Sequence, residues 1–170
     1  MDGTGDIREI KTPAHIEDCA SLLRRAFATV AEEFGLTEAN APTNAAFTTA
    51  DNLRRHLEDG MALFGMYRAR ELLGSVAIKR SRSTDGVFYV ERLAVAPESR
   101  HKGYGGELLG FAMERIREQG GTTVSVGLID DNERLKAWYR SKGFVQHDRR
   151  RVAHLPFKVC YMSRELEARG

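Results

Sequence analysis

At 170 residues the chain suits one domain, residues 1–170, able to bury about 70% of its unfolded surface without a disulfide or metal staple. Hydrophobic residues at 42% and charged residues at 29% match an ordinary soluble globular protein, and a net charge of +2 argues neither for nor against a nucleic-acid partner. No run approaches the roughly eighteen apolar residues of a membrane helix. Met1 to Asp6 lacks the basic-then-apolar pattern of a secretory signal, and Cys19 and Cys160 lack metal or redox spacing, all of which points to a soluble, cytoplasmic protein.

In chain order, Ile7 to Lys11 alternates as a short strand, and Thr12-Pro13 closes it before a helix. From about His15 to Phe34, residues Ile16, Cys19, Leu22, Leu23, Ala26, Phe27 and Val30 recur at helical spacing, and Gly35 stops the helix. Thr37 to Thr49 is a loop long enough to have a role of its own. Thr49-Ala50-Asp51 caps a short helix through Leu57 that ends at Gly60. Met61 to Tyr67 and Leu72 to Lys79 read as a hairpin turning at Arg68 to Glu71, and the polar segment Ser81 to Gly86 turns the chain into a strand, Val87 to Val95.

A helix from Gly105 through Gln119 follows, with Leu108, Leu109, Ala112, Met113 and Ile116 on its inner face, and Gly120-Gly121 breaks it. Thr122 to Ile129 is β-branched, Asp130 to Asn132 caps a helix over Glu133 to Lys142, and Gly143 ends that helix. Phe144 to Gln146 and Phe157 to Ser163 read as two final strands, separated by a basic stretch, Asp148 to Arg151, that reads as a solvated loop. The order implies a mixed α/β sheet, with no repeat or linker.

The chemistry is concentrated between Val87 and Gly120. There an apolar strand runs into Arg100-His101-Lys102-Gly103-Tyr104-Gly105-Gly106 and then directly into a helix. Glycines at such a junction let main-chain N–H groups approach an anion where the helix dipole is positive, and three basic residues add charge beside them. A nucleoside-triphosphate loop would need Gly-Lys-Ser/Thr, where Gly105-Gly106-Glu107 stands, and a dinucleotide fingerprint would need glycine at Leu108.

Val95-Ala96-Pro97 followed by Arg100-x-x-Gly103-x-Gly105 resembles the acyl-CoA loop of the GNAT N-acetyltransferase superfamily. Asn132, Tyr139 seven residues on, and Gly143-Phe144 resemble a second segment of that family. Together the two cover roughly a third of the chain. The resemblance implies a mixed central sheet, antiparallel in its first half with parallel central strands that splay apart to admit the cofactor's pantetheine arm. It also implies acetyl-CoA as acyl donor, held by Leu93, Ala94, Val95, the loop Arg100, His101, Lys102, Gly103, Tyr104, Gly105 and Gly106, and Asn132.

The implied reaction is acetyl transfer to a primary amine by direct attack on the thioester. An ammonium of pKa about 10.4 cannot attack, so a base is required. Alternation places Glu91 on one face with Tyr89, Leu93 and Val95, and it resembles the glutamate that many of these enzymes use, with a structural ion pair to an arginine as the other reading. Tyr139 resembles the residue that protonates the leaving thiolate, with core packing beside Trp138 as its other reading. His15, His56 and His154 lack ligand spacing, so no metal is expected. A non-catalytic acyl-CoA sensor or assembly module remains an alternative. The basic runs lack the aromatic interleaving of a nucleic-acid binder, and no membrane partner is expected. The acceptor pocket is expected to involve the first two helices and the Thr37 to Thr49 loop, with arginines of the 149–151 run as candidates for recognising an acidic acceptor. Homodimers are common in the family that the chain resembles, which leaves the oligomeric state open.

Overall fold

The structure, a computed structural model, describes residues 5–167, so most of the Met1 to Asp6 segment lies outside the described residues. Strands β1 (Asp6–Glu9), β2 (Ala62–Arg68), β3 (Glu71–Arg80), β4 (Val87–Val95), β5 (Thr123–Ile129), β6 (Val145–Arg151) and β7 (Lys158–Glu165) form one sheet in the order β1-β2-β3-β4-β5-β7-β6. Helices α1 (Pro13–Phe34), α2 (Ala50–Glu58), α3 (Tyr104–Glu118) and α4 (Glu133–Ser141) flank it. All neighbouring strands are antiparallel except β4 and β5, whose crossover through α3 makes them parallel. Among the described residues no helix is long and apolar enough to cross a membrane.

Local chemistry sets the element ends. Thr12 Oγ1 accepts from the His15 N–H, Pro13 occupies the first turn, and Gly35 closes α1 at φ 64°. The stripe of α1 (Ile16, Cys19, Leu23) packs with Leu53 of α2 on Leu63, Ala77 and Ala94 of the sheet. The stripe of α3 (Leu108, Leu109, Ile116) and Tyr139 of α4 pack on the other face, against Phe88, Val90 and Val126. Cys19 and Cys160 are buried free thiols, and burial pushes Cys19 up to about 12, so it stays protonated.

Two expectations need correction. The run Asp148 to Arg151 is not a loop, because β6 extends through it, paired with β7 from Val145 to Arg151. Charge is tolerated there because β6 is the sheet's edge, where arginines also discourage pairing with another chain. The first hairpin turns more tightly than expected, with Arg68 and Glu71 already paired and Ala69 at φ 55°.

A three-part ionic brace fixes α4 to the far half of the sheet. Asp130, just after β5, accepts from Lys136 Nζ of α4 at 2.7 Å and from Arg149 Nε and Nη2 of β6 at 2.9 and 2.5 Å. The side chains of Asp130 and Lys136 are each only 7% exposed. Hydrogen bonds from Lys136 and then Arg149 hold the Asp130 carboxyl below its usual range. Removing one member leaves a buried charge unpaired, so Asp130→Asn should cost about 3 kcal/mol at neutral pH. A depressed carboxyl stabilises the fold above its unfolded value and loses that contribution as pH falls through the folded one. The stability gap between wild type and Asp130→Asn, measured by urea unfolding, should therefore be full at neutral pH and close progressively below pH 3.8.

Candidate active site

β4 and β5 pair only from Val87 to Tyr89 against Thr123 to Ser125, then separate. This is the splay that the resemblance implies. Ala96 donates its N–H to Leu73 of β3 at 2.8 Å, so strand alternation turns the N–H and C=O of Val95 and Leu93 away from β3, into the gap. Ala94 is placed differently, with its main chain toward Ser75 of β3 and its side chain buried among α1 residues.

The loop after β4 forms a concavity at the head of α3. A 3₁₀ turn, Pro97–Ser99, leads into it, and His101 at φ 64° and Gly103 at φ 85° take the left-handed backbone conformation that anion-binding turns use. Of the basic residues expected there, Arg100 is committed elsewhere: its Nη2 donates to the Ala26 carbonyl of α1 at 2.7 Å. Arg25 of α1 also pairs with Glu98 at 3.2 Å, so α1 braces the loop at two points. Tyr104 keeps only its main chain for the concavity, since its ring is buried in the core and its hydroxyl meets Arg68.

Charge and an aromatic wall come from α4 instead. Lys142 Nζ lies 3.2 Å from where a Cβ on Gly106 would stand, and the Trp138 ring 3.5 Å from where one on Gly105 would stand. The two glycines thus bring the α3 terminus close against α4, with the Lys142 ammonium over the Trp138 ring at 5.6 Å. The only signal of Lys142 in the sequence is its position four residues after Trp138, on the same helical face.

Glu91 lies on the face opposite to Leu93 and Val95, which corrects the alternation expected of β4. Arg92 stands at φ 51° and the register with β3 shifts there, Ala77 facing Glu91 and Ser75 facing Ala94. One extra residue in β4 therefore reverses the facing beyond it. Glu91 shares the α1–α2 face with Ala77, whereas Leu93 and Val95 pack on the α3 side. Its side chain is 40% exposed and accepts from Arg92 Nη1 at 3.1 Å. His56 of α2 borders the same ground. Burial, followed by the Arg92 charge, holds its imidazole below the ordinary value, so it is neutral at neutral pH.

Tyr139 is buried among Trp138 and Phe144, with ring centroids 5.0 and 5.3 Å away. Burial pushes its phenol far above the ordinary range, and its hydroxyl has no hydrogen-bond partner among the described residues. Asn132 caps α4, its Oδ1 accepting from the Leu135 N–H at 3.2 Å, which leaves the amide Nδ2 for a ligand. On the α1 side, the Thr37 to Thr49 loop contributes a 3₁₀ turn, Ala45–Phe47, and forms an apolar cluster with α1, Ile129 and Phe157. That cluster spans from α1 to the open end of β5.

The sequence profile of the acetyltransferase (GNAT) family matches residues 20–144. No curated protein sequence matches the chain. Among solved structures, the ribosomal-protein-S18-alanine N-acetyltransferase of Escherichia coli is 15% identical with TM-score 0.75, over 98% of this chain and 96% of that one. The PaiA N-acetyltransferase of Thermoplasma acidophilum, solved with coenzyme A, is 17% identical with TM-score 0.76, over 95% and 98%. A ribosomal-protein-alanine N-acetyltransferase of Brucella melitensis is 20% identical with TM-score 0.70, over 95% and 99%. At such identities the likeness is one of fold.

If Lys142 contributes charge to the concavity, Lys142→Gln should weaken coenzyme A binding about threefold to tenfold at low salt and less at high salt, with the thermal midpoint unchanged. Calorimetric titration at two ionic strengths measures this.

Proposed function

Because the chain belongs to the acetyltransferase (GNAT) family, we propose that it transfers an acetyl group from acetyl-CoA to the amine of an acceptor, by direct attack of that amine on the thioester. The observation that carries this reading is the opening of the sheet after three β4–β5 residue pairs, with an anion cradle at one end and Glu91 and Tyr139 on the elements that border it.

The residues present fit acetyl-CoA. The cradle from His101 to Gly106, walled by Trp138 and Lys142, suits its phosphates, and the main-chain groups of Leu93 and Val95 suit its extended amide-bearing arm. When bound it supplies an acyl group activated as a thioester. A main-chain N–H of β4 turned into the gap stabilises charge growing on the acyl oxygen, as preorganised donors do without reorganising.

The acceptor needs help to reach its reactive form. At neutral pH an amine of pKa about 10.4 is protonated, and freeing it costs about 4–5 kcal/mol. A carboxylate is a far weaker base than an amine and cannot strip a free ammonium outright. Glu91 therefore acts as the nitrogen attacks and its proton becomes acidic, directly or through a water. Tyr139 stays protonated in its buried setting and serves the departing sulfur as a hydrogen-bond donor. A thiol of pKa about 8.5 leaves readily, so such a donor is sufficient.

In a steady-state assay that follows release of CoA thiol, Tyr139→Phe should lower kcat about tenfold to a hundredfold while acetyl-CoA affinity changes little. Glu91→Gln should lower kcat/KM at neutral pH and move the activity profile toward higher pH, where the acceptor supplies its own free base. Equal losses in both variants with a lowered thermal midpoint would show that these residues serve only the fold.

A further inference from the structure

Among the described residues three glycines lie inside strands, where glycine is less stable than alanine. Packing requires two of them. A Cβ on Gly65 would stand 2.7 Å from Leu72 Cδ1, and one on Gly74 would stand 2.7 Å from the Ala94 carbonyl oxygen. Gly127 of β5 has no such reason. A Cβ there would stand 3.4 and 3.6 Å from Cε1 and Cδ1 of Tyr161 and 3.6 Å from Val159 Cγ1, which are ordinary contacts, and its φ is not positive. A strand glycine that neither conformation nor packing demands marks a place where something else approaches the main chain.

That place is the open stretch of the sheet. The last β4–β5 pair is Tyr89 with Ser125, and two residues on stand Glu91 on one strand and Gly127 on the other. Val126 packs toward α3, so alternation turns Gly127 to the α1–α2 face, where Glu91 also lies. On that face of β5, Ser125 and Ile129 are buried, at 6% and 7% exposure, while Gly127 between them is exposed. Tyr161 of β7 is paired with Gly127, and one edge of its ring lies beside the missing Cβ. Arg150 and His147 of β6 pack on that ring at 5.9 and 6.4 Å from its centroid. In the acetyl-transfer reading the cofactor's arm lies between the strand edges, in the plane of the sheet. A Cβ on Gly127 would rise out of that plane, into the space an amine crosses to reach the thioester from the side of Glu91.

We propose that the carbon bearing the acceptor's amine passes in van der Waals contact over Gly127, between Glu91 and the Tyr161 ring. Gly127 is then a specificity-determining residue: its bare floor admits primary amines that carry a substituent on that carbon. The proposal rests on the acetyl-transfer reading above and concerns the acceptor half of the same site.

The test uses the full chain with acetyl-CoA and amines paired so that they differ by one methyl group on the carbon bearing nitrogen: glycinamide with alaninamide, ethylamine with isopropylamine, and benzylamine with 1-phenylethylamine. Release of CoA thiol gives kcat/KM for each. Calorimetric titration gives the affinity for acetyl-CoA, and for the same amines in the CoA-bound protein. Gly127→Ala should lower kcat/KM for the branched members about tenfold to a hundredfold relative to their unbranched partners. Acetyl-CoA affinity should not change, and the thermal midpoint should be unchanged or raised, because alanine suits a strand better than glycine. A ratio that stays the same in the variant, a wild-type chain that already rejects the branched members, or a weakened hold on acetyl-CoA would each overturn the proposal. So would a lowered thermal midpoint, which would show that the glycine serves packing. Thiol release that no amine stimulates would count against acetyl transfer itself, and the titration then decides separately. Branched amines that bind the wild-type chain and are excluded from Gly127→Ala support the proposal, and equal or absent binding overturns it.

Discussion

The structure depends on an edge in the middle of a sheet. Past Tyr89, β4 is joined to β3 on one side and has no strand on the other. A main-chain edge left unpaired inside a fold costs roughly 1–3 kcal/mol per group unless something satisfies it. Most proteins confine such edges to the rim and guard them with charge, as β6 is guarded here by Arg149 to Arg151. At β4 the edge carries Leu93 and Val95, whose main-chain groups suit an extended ligand that supplies its own amides.

The remaining elements hold that edge apart. α3 crosses from β4 to β5, and its core stripe fixes the distance between them. α4 must stay in place beyond the point where strand pairing stops, and the Asp130–Lys136–Arg149 brace ties it to both β5 and β6. Arg100 and Glu98 tie the cradle to α1 on the opposite face. These charged contacts occupy the places where an apolar core could not reach, because the gap itself cannot be filled with side chains.

The legible part of the sequence was local. Helix stripes and the caps at Thr49 and Asn132 depend on neighbours a few residues away, and they sit where their pattern requires. What was hidden depends on partners far along the chain. The facing of Glu91 hinges on a bulge at Arg92 that is held by Ser75, seventeen residues earlier, so strict alternation misplaced it. Arg149 reads as one of three loop arginines until Asp130 is seen beside it, and Lys142 is an ordinary helix-end lysine until α3 packs against it. For Arg149 and Lys142 the deciding contact comes from another element.

The bulge also explains how one strand presents different side chains to the two layers of helices. An unbroken β4 would put Glu91, Leu93 and Val95 on a single face, forcing the Glu91 carboxylate to compete with the α3 core for the same space. One inserted residue separates them: Leu93 and Val95 pack toward α3, and Glu91 and Arg92 serve the α1–α2 side. The inserted residue is an arginine at positive φ, where asparagine or glycine would fit with less strain. A purely structural bulge would tolerate either of those residues. Here the arginine side chain is engaged on the α1–α2 side by its ion pair with Glu91, and the Ser75 hydroxyl holds the strained carbonyl in place.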